Sequence, residues 1–136
     1  MSLSFDTCVL IDILRGRRPE FREQLRLLLV DETPLHLCTF AFHELMYGVE
    51  ISARPNFQRE RALEVCGFFK MADWTIDDAW ATARLRTELR GRGQPIGAID
   101  ALVAGQALAR GWTLVTSNVR EFARVEGLDI QDWSRP

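Results

Sequence analysis

Lysine is nearly absent from this 136-residue chain. Lys70 is the single example, so almost all positive charge is carried by arginine. A phosphoacceptor receiver domain needs a lysine at the end of a late strand, and Lys70 is badly placed for that role. Cysteine is scarce too: Cys8, Cys38 and Cys66 form an odd set with no Cys-x-x-Cys pair. Such a set offers neither a disulfide framework nor zinc-ligand spacing, and apolar neighbours make all three read as small buried hydrophobes in a reducing compartment. His36 and His43 are the only histidines, and neither makes a convincing catalytic dyad, so both read as structural. Ser/His/Asp, Cys/His and phosphate-cradling glycine patterns are missing, and Gly91-Arg92-Gly93 reads as a turn. The longest near-apolar runs, 25–30 and 101–109, contain Arg26 and Gln106 and fall well short of a bilayer span. Met1-Ser2-Leu3-Ser4 lacks the basic start and apolar stretch of a secretory signal, so a cytoplasmic, membrane-free location is expected.

What is present is globular. A composition of 47% hydrophobic and 26% charged residues excludes disorder and fibrous repeats, and the length suits one compact domain over 1–136. The net charge of -2 does not advertise nucleic-acid binding, but its distribution is informative. Arg15, Arg17, Arg18, Arg22 and Arg26 fall close together, and Arg84, Arg86, Arg90 and Arg92 form a second group. Guanidinium groups grip phosphate in a bidentate fork, so each cluster reads either as an RNA-backbone contact or as a solvated helix face.

Periodicity and turn residues predict strands at 3–5, 35–39, 72–75, 112–116 and 128–133. Helices are predicted at 9–14, 19–30, from a Thr39 cap to about Ser52, and from an Asn56 cap to about Lys70. Further helices follow from a Thr75 or Asp77 cap to Gly91, over 96–110, and as one turn at 119–122. Strands alternating with helices imply an α/β fold whose mostly parallel sheet carries helices on both faces. Ligands bind such sheets beyond the carboxyl ends of the strands.

Three acids stand in apolar company. Asp6 directly follows the first strand, Glu44 lies in Phe40-Ala41-Phe42-His43-Glu44-Leu45-Met46, and Asp100 lies in Ile96-Gly97-Ala98-Ile99-Asp100-Ala101-Leu102. A carboxylate in such a setting is costly unless something offsets its charge. For one Asp a basic partner suffices; three gathered at one sheet edge would repel one another without a cation. Asn118, in Thr116-Ser117-Asn118 after a late strand, offers an amide oxygen or orients a water, while Thr116 or Ser117 supplies a supporting hydrogen bond. Asn at a helix start also serves simply as a cap. All-oxygen ligation suits Mg²⁺ or Mn²⁺.

These segments resemble a known family. Asp6-Thr7-Cys8-Val9-Leu10-Ile11 with Leu14-Arg15-Gly16 is similar to the opening of a VapC toxin. Glu44-Leu45-Met46-Tyr47-Gly48-Val49-Glu50, Pro95-Ile96-Gly97-Ala98-Ile99-Asp100-Ala101-Leu102-Val103-Ala104 and Leu114-Val115-Thr116-Ser117-Asn118-Val119-Arg120-Glu121-Phe122 resemble its second, third and fourth motifs. The resemblance implies a PIN-like three-layer α/β/α fold, a Mg²⁺- or Mn²⁺-dependent endoribonuclease and an inhibiting VapB-like antitoxin. By position it makes Asp6, Glu44 and Asp100 the metal site, with Asn118 where many relatives carry a fourth Asp. Thr7, Thr116 and Ser117 would support these groups. Homodimers are common in the family, and Phe40, Phe42 and Tyr47 are plausible contact residues.

The mechanism this predicts is metal-assisted hydrolysis of RNA, with Asp6 and Asp100 binding the ion and Glu44 binding it or accepting a proton. A phosphatase using an aspartyl nucleophile would want a second Asp where Cys8 stands. A PIN nuclease of RNA processing and a catalytically silent protein-binding module remain as alternatives.

Overall fold

The computed structural model describes residues 1–134. The elements run β1 (Leu3–Phe5), α1 (Thr7–Arg15), α2 (Pro19–Val30), β2 (Leu35–Cys38), α3 (Thr39–Glu50) and α4 (Pro55–Cys66). They continue as β3 (Lys70–Ala72), α5 (Ile76–Gly91), α6 (Ala98–Arg110), β4 (Thr113–Thr116), α7 (Val119–Phe122) and β5 (Ile130–Asp132). The five strands form one sheet in the order β3-β2-β1-β4-β5, and every pairing is parallel. Helices flank the sheet, giving the expected three layers. No helix of the described residues is long and apolar enough to cross a membrane.

The strand order positions the site. The chain steps outward from β1 to β2 and β3, then returns to lay β4 on the other side of β1. At such a reversal the following connections diverge and leave a crevice beyond the carboxyl ends of the strands. Here that crevice lies after β1 and β4. The backbone N–H of Asp6 donates to the Val115 carbonyl at 2.9 Å, prolonging the β1–β4 ladder to the residue that opens the crevice.

The central strand explains its own sequence. Leu3, Ser4 and Phe5 are all fully buried, because neighbours lie on both edges and helices on both faces. Phe5 meets Phe69 and Trp133 edge-on, with ring centroids 4.9 and 5.3 Å apart. Gly16 ends α1 and Gly111 ends α6 in the left-handed conformation, at φ 65° and 67°, where a side chain would be strained.

Several boundaries depart from expectation. Pro55 is the first residue of α4, with Arg54 as its cap, so Asn56 lies inside the helix. That helix stops at Cys66 rather than near Lys70, since Phe69 must enter the core against Phe5 and Lys70 already pairs with β2. Cys38 caps α3 and Thr39 is its first residue. Helix α6 begins at Ala98, not Ile96, and β5 is shorter than predicted. Thr75 does cap α5, in a reciprocal box with Asp78.

Helices α5 and α6 approach unusually closely at Gly105. A Cβ there would fall 1.7 Å from the Thr82 hydroxyl and 2.8 Å from its Cβ, so only glycine fits.

Candidate active site

Asp6 caps α1 at the crevice and is only 5% exposed. Its Oδ2 accepts hydrogen bonds from the Thr116 hydroxyl at 2.9 Å and the Cys8 thiol at 3.0 Å. The Thr7 backbone N–H also favours its ionised form, yet burial outweighs all of these and pushes the carboxyl above its ordinary range. Thr116 is a relay: its hydroxyl also accepts the backbone N–H of Asn118 at 2.9 Å. Ser117 lies one step further out, with its hydroxyl 3.2 Å from the Cys8 sulfur. Thr7 turns away, its hydroxyl donating to the Ala41 carbonyl at 3.5 Å and linking α1 to α3.

Asp100, the third residue of α6, is half-buried and its carboxyl is pushed up to about 7. Burial is the first cause; repulsion from Asp6, Glu121 and Glu44 follows, and a hydrogen bond to Glu121 adds to it. The acids predicted to converge therefore do act on one another. Neither lysine nor arginine forms an ion pair with Asp6, Glu44, Asp100 or Glu121 among the described residues.

Glu121 is the residue that sequence reasoning did not single out, although it lay within the fourth motif. Its Oε1 accepts the Gly97 backbone N–H at 2.7 Å and its Oε2 accepts the Asn118 amide at 2.9 Å. The Gly97 bond first, then the Asn118 bond and the contact with Asp100, hold it below the usual carboxylate range. Spacing was the available signal: Glu121 lies three residues after Asn118, one helical turn on the same face.

Two expectations need correction. Cys8 is not a buried hydrophobe; it is partly exposed and donates to Asp6, while Cys38 and Cys66 are buried as expected. Its thiol is pushed up by burial and by the Asp6 charge, which keeps it a donor. Glu44, despite apolar neighbours in sequence, is exposed on α3, because helical spacing turns Ala41, Leu45 and Val49 inward instead. His36 stacks on Trp112 with centroids 3.9 Å apart, while His43 is exposed with its ring 6.5 Å from that of Tyr47. Of the suggested contact residues only Tyr47 is exposed; Phe40 is occupied against Trp74.

Comparison with known proteins decides the family. Residues 4–128 match the PIN domain. The tRNA(fMet)-specific endonuclease VapC of Shigella flexneri is 36% identical over 138 residues, covering 98% of this chain and 99% of that protein. The chain belongs to the VapC family of PIN-domain proteins. Its Salmonella typhimurium relative, also named tRNA(fMet)-specific endonuclease VapC, is 33% identical over 98% of both chains. The fold agrees with VapBC2 from Rickettsia felis bound to a promoter DNA fragment, at TM-score 0.93, 26% identity, and coverage of 98% of this chain and 99% of that one. DNA-bound VapBC from Salmonella typhimurium gives TM-score 0.90 at 29% identity, with 98% of both chains covered.

The acids of this VapC-family site suit a hard divalent cation in donor type, since all are carboxylate oxygens whose mutual repulsion a cation would relieve. As placed, no three His, Cys, Asp or Glu side chains among the described residues form a ready group for an ion.

Beside Glu44 runs a groove of about 190 Å³, lined by Ile11, Leu14, Leu45 and Val49 with Arg15 at its rim.

Proposed function

We propose that this chain is a Mg²⁺- or Mn²⁺-dependent endoribonuclease acting as a toxin in the cytoplasm and neutralised by a VapB-like antitoxin. One observation carries the reading: Asp100 is held near 7 by burial and by the charges of Asp6, Glu121 and Glu44, with no basic side chain paired to any of them. A divalent cation would relieve that repulsion, which is what makes the cluster a candidate ion site.

Asp6 and Asp100 would hold the ion, with Glu44 or Glu121 completing the oxygen set. When bound, a divalent ion polarises the scissile phosphate and lowers the pKa of a water, the chemistry that phosphodiester hydrolysis needs. The protein's own part is mainly positioning. Thr116, Cys8 and the Thr7 N–H fix the Asp6 carboxylate, so it meets its ligand without reorganising. Gly97 and Asn118 hold Glu121 ionised beside Asp100. Asn118 thus serves through Glu121, which supplies the carboxylate that position 118 lacks. Asp100 would have to be ionised to hold the ion, so ion binding would weaken as pH falls below about 7. Glu44, exposed and without a hydrogen-bond partner among the described residues, would accept the water's proton.

The names of the Shigella and Salmonella relatives make initiator tRNA the first substrate to test. The apolar groove beside Glu44 suits the apolar face of an antitoxin helix, whose docking there would cover the acids.

Purified protein incubated with total RNA should cleave with Mg²⁺ or Mn²⁺ and stop with chelator. Asp6→Asn and Asp100→Asn should stay folded and lose at least ~100-fold in cleavage rate. Retained cleavage in both variants would end the assignment. Growth arrest on expression, rescued by the neighbouring antitoxin, separates a toxin from a processing nuclease.

A further inference from the structure

Each arginine cluster divides in the fold into tied and untied side chains. In the first, Arg18 bonds to Glu20 and the Ser134 carbonyl, Arg22 to the Ile13 carbonyl and Arg26 to Glu23. Those three have structural partners, whereas Arg15 and Arg17 are exposed without a side-chain partner among the described residues. In the second, Arg92 is tied to the Arg124 carbonyl. Arg86 and Arg90 have no partner among the described residues, and both are exposed on α5.

Their spacing is i,i+4, which stacks two guanidinium groups on one helix face and disfavours the helix by like-charge repulsion. Arg90 gains something from the helix C-terminus; Arg86, a turn earlier, does not. They share a groove of about 390 Å³ with Ala83, Thr87, Pro95 and Ile96. Its far wall, the link carrying Pro95 and Ile96, leads directly to the acids. The Pro95 carbonyl accepts from Arg124 at 3.0 Å, and the Gly97 N–H donates to Glu121 at 2.7 Å. A Cβ on Gly97 would sit 3.3 Å from an Asp100 oxygen. Successive Cα atoms are ~3.8 Å apart, so the groove's wall is separated from the acidic site by about one residue. The two arginines thus share a groove with the link that leads into the acidic site.

We propose that the Arg86–Arg90 groove is the subsite for the RNA backbone flanking the scissile bond. The two guanidinium groups grip successive phosphates while Ala83 and Ile96 offer an apolar floor to the sugar or base. This rests on the nuclease reading but concerns binding alone.

The test measures affinity of a fluorescein-labelled single-stranded oligoribonucleotide by anisotropy, in chelator and in an Asp100→Asn background, across a salt series. Each phosphate contact contributes ~0.7 to the slope of log affinity against log salt for single strands. Arg86→Ala/Arg90→Ala should flatten the slope by about 1.4 and weaken binding about ten-fold near physiological salt. Arg86→Lys/Arg90→Lys should keep the slope, and Arg26→Ala should change neither quantity. Unchanged affinity and slope in the alanine pair overturn the subsite and leave the nuclease reading standing. A drop in affinity accompanied by dissociation of a dimer in light scattering overturns it too, by making this face a protein interface. If the parent binds no RNA in chelator the subsite falls, while the nuclease reading stands or falls on cleavage with Mn²⁺.

Discussion

Two sets of buried acid occupy opposite ends of this molecule's electrostatic range. Asp78 is completely buried in α5, and desolvation alone would push its carboxyl up. Instead it lies below its ordinary value, because Arg110 meets it at 3.0 Å, the Thr75 N–H at 2.8 Å and the Gln106 amide at 3.2 Å. Asp100 is less buried, yet burial and three neighbouring carboxylates hold it near 7. The more buried acid is the more comfortable one. An arginine and two N–H donors offset the burial of Asp78, whereas burial and like charge act together on Asp100.

Removing each charge should therefore have opposite consequences. Asp78→Ala strands Arg110 and unmakes the α5 cap, costing about 3 kcal/mol, or roughly 10 °C in thermal midpoint. Circular-dichroism melts check this; a loss below ~1 kcal/mol would mean that the pair is dispensable. Gly105→Ala, in the same α5–α6 contact, should cost about 2 kcal/mol through overlap with Thr82, and a neutral outcome would show that the helices can separate freely.

Asp100→Asn should instead stabilise the metal-free protein by about 1 kcal/mol at pH 8, a figure reduced for partial solvent screening. The gain should vanish near pH 4. Folded Asp100 titrates near 7 against an ordinary 3.8, so between those values the folded chain keeps a proton that the unfolded chain has lost. Raising pH through that window drains stability. Asp78 works the other way: its contribution is present above 3.8 and is lost as pH falls through its lower folded value. Mn²⁺ should raise the midpoint of the parent and not of Asp100→Asn; equal shifts in both would place the ion elsewhere. The smallest effect is expected from Glu121→Gln, which removes one of the repelling charges and should move Asp100's titration, followed by carboxyl ¹³C NMR, to lower pH. An unmoved titration would show that Glu121 has no part in raising Asp100.

Much of the fold was legible because its signals are local. Pro19 at the start of α2, Gly16 and Gly111 at helix ends, and the Thr75 cap are backbone preferences that operate over a few residues. Asp6 and Asp100 were found because carboxylates in apolar segments conflict with their surroundings. Glu44 was misjudged as buried for a related reason: its sequence neighbours are apolar, but a helix distributes neighbours over opposite faces. Asp78 was overlooked because Asp77 and Asp78 look like an ordinary acidic first turn. Cys8 was misjudged because only the packing of β1 beside β4 brings Ser117 and Thr116 to its sulfur, across more than a hundred residues.

By itself, then, the sequence determined the alternation of strands and helices, the placement of acids just past strand ends, and the arginine-for-lysine bias. Each depends on conformational preferences or polarity along a short stretch of chain. Only the tertiary structure decided which acid is neutralised and which is left charged, and which arginines are spent on carbonyls and which remain free. Coulomb energy and desolvation depend on distance in space and on burial, and both are fixed only when β4 returns to lie beside β1.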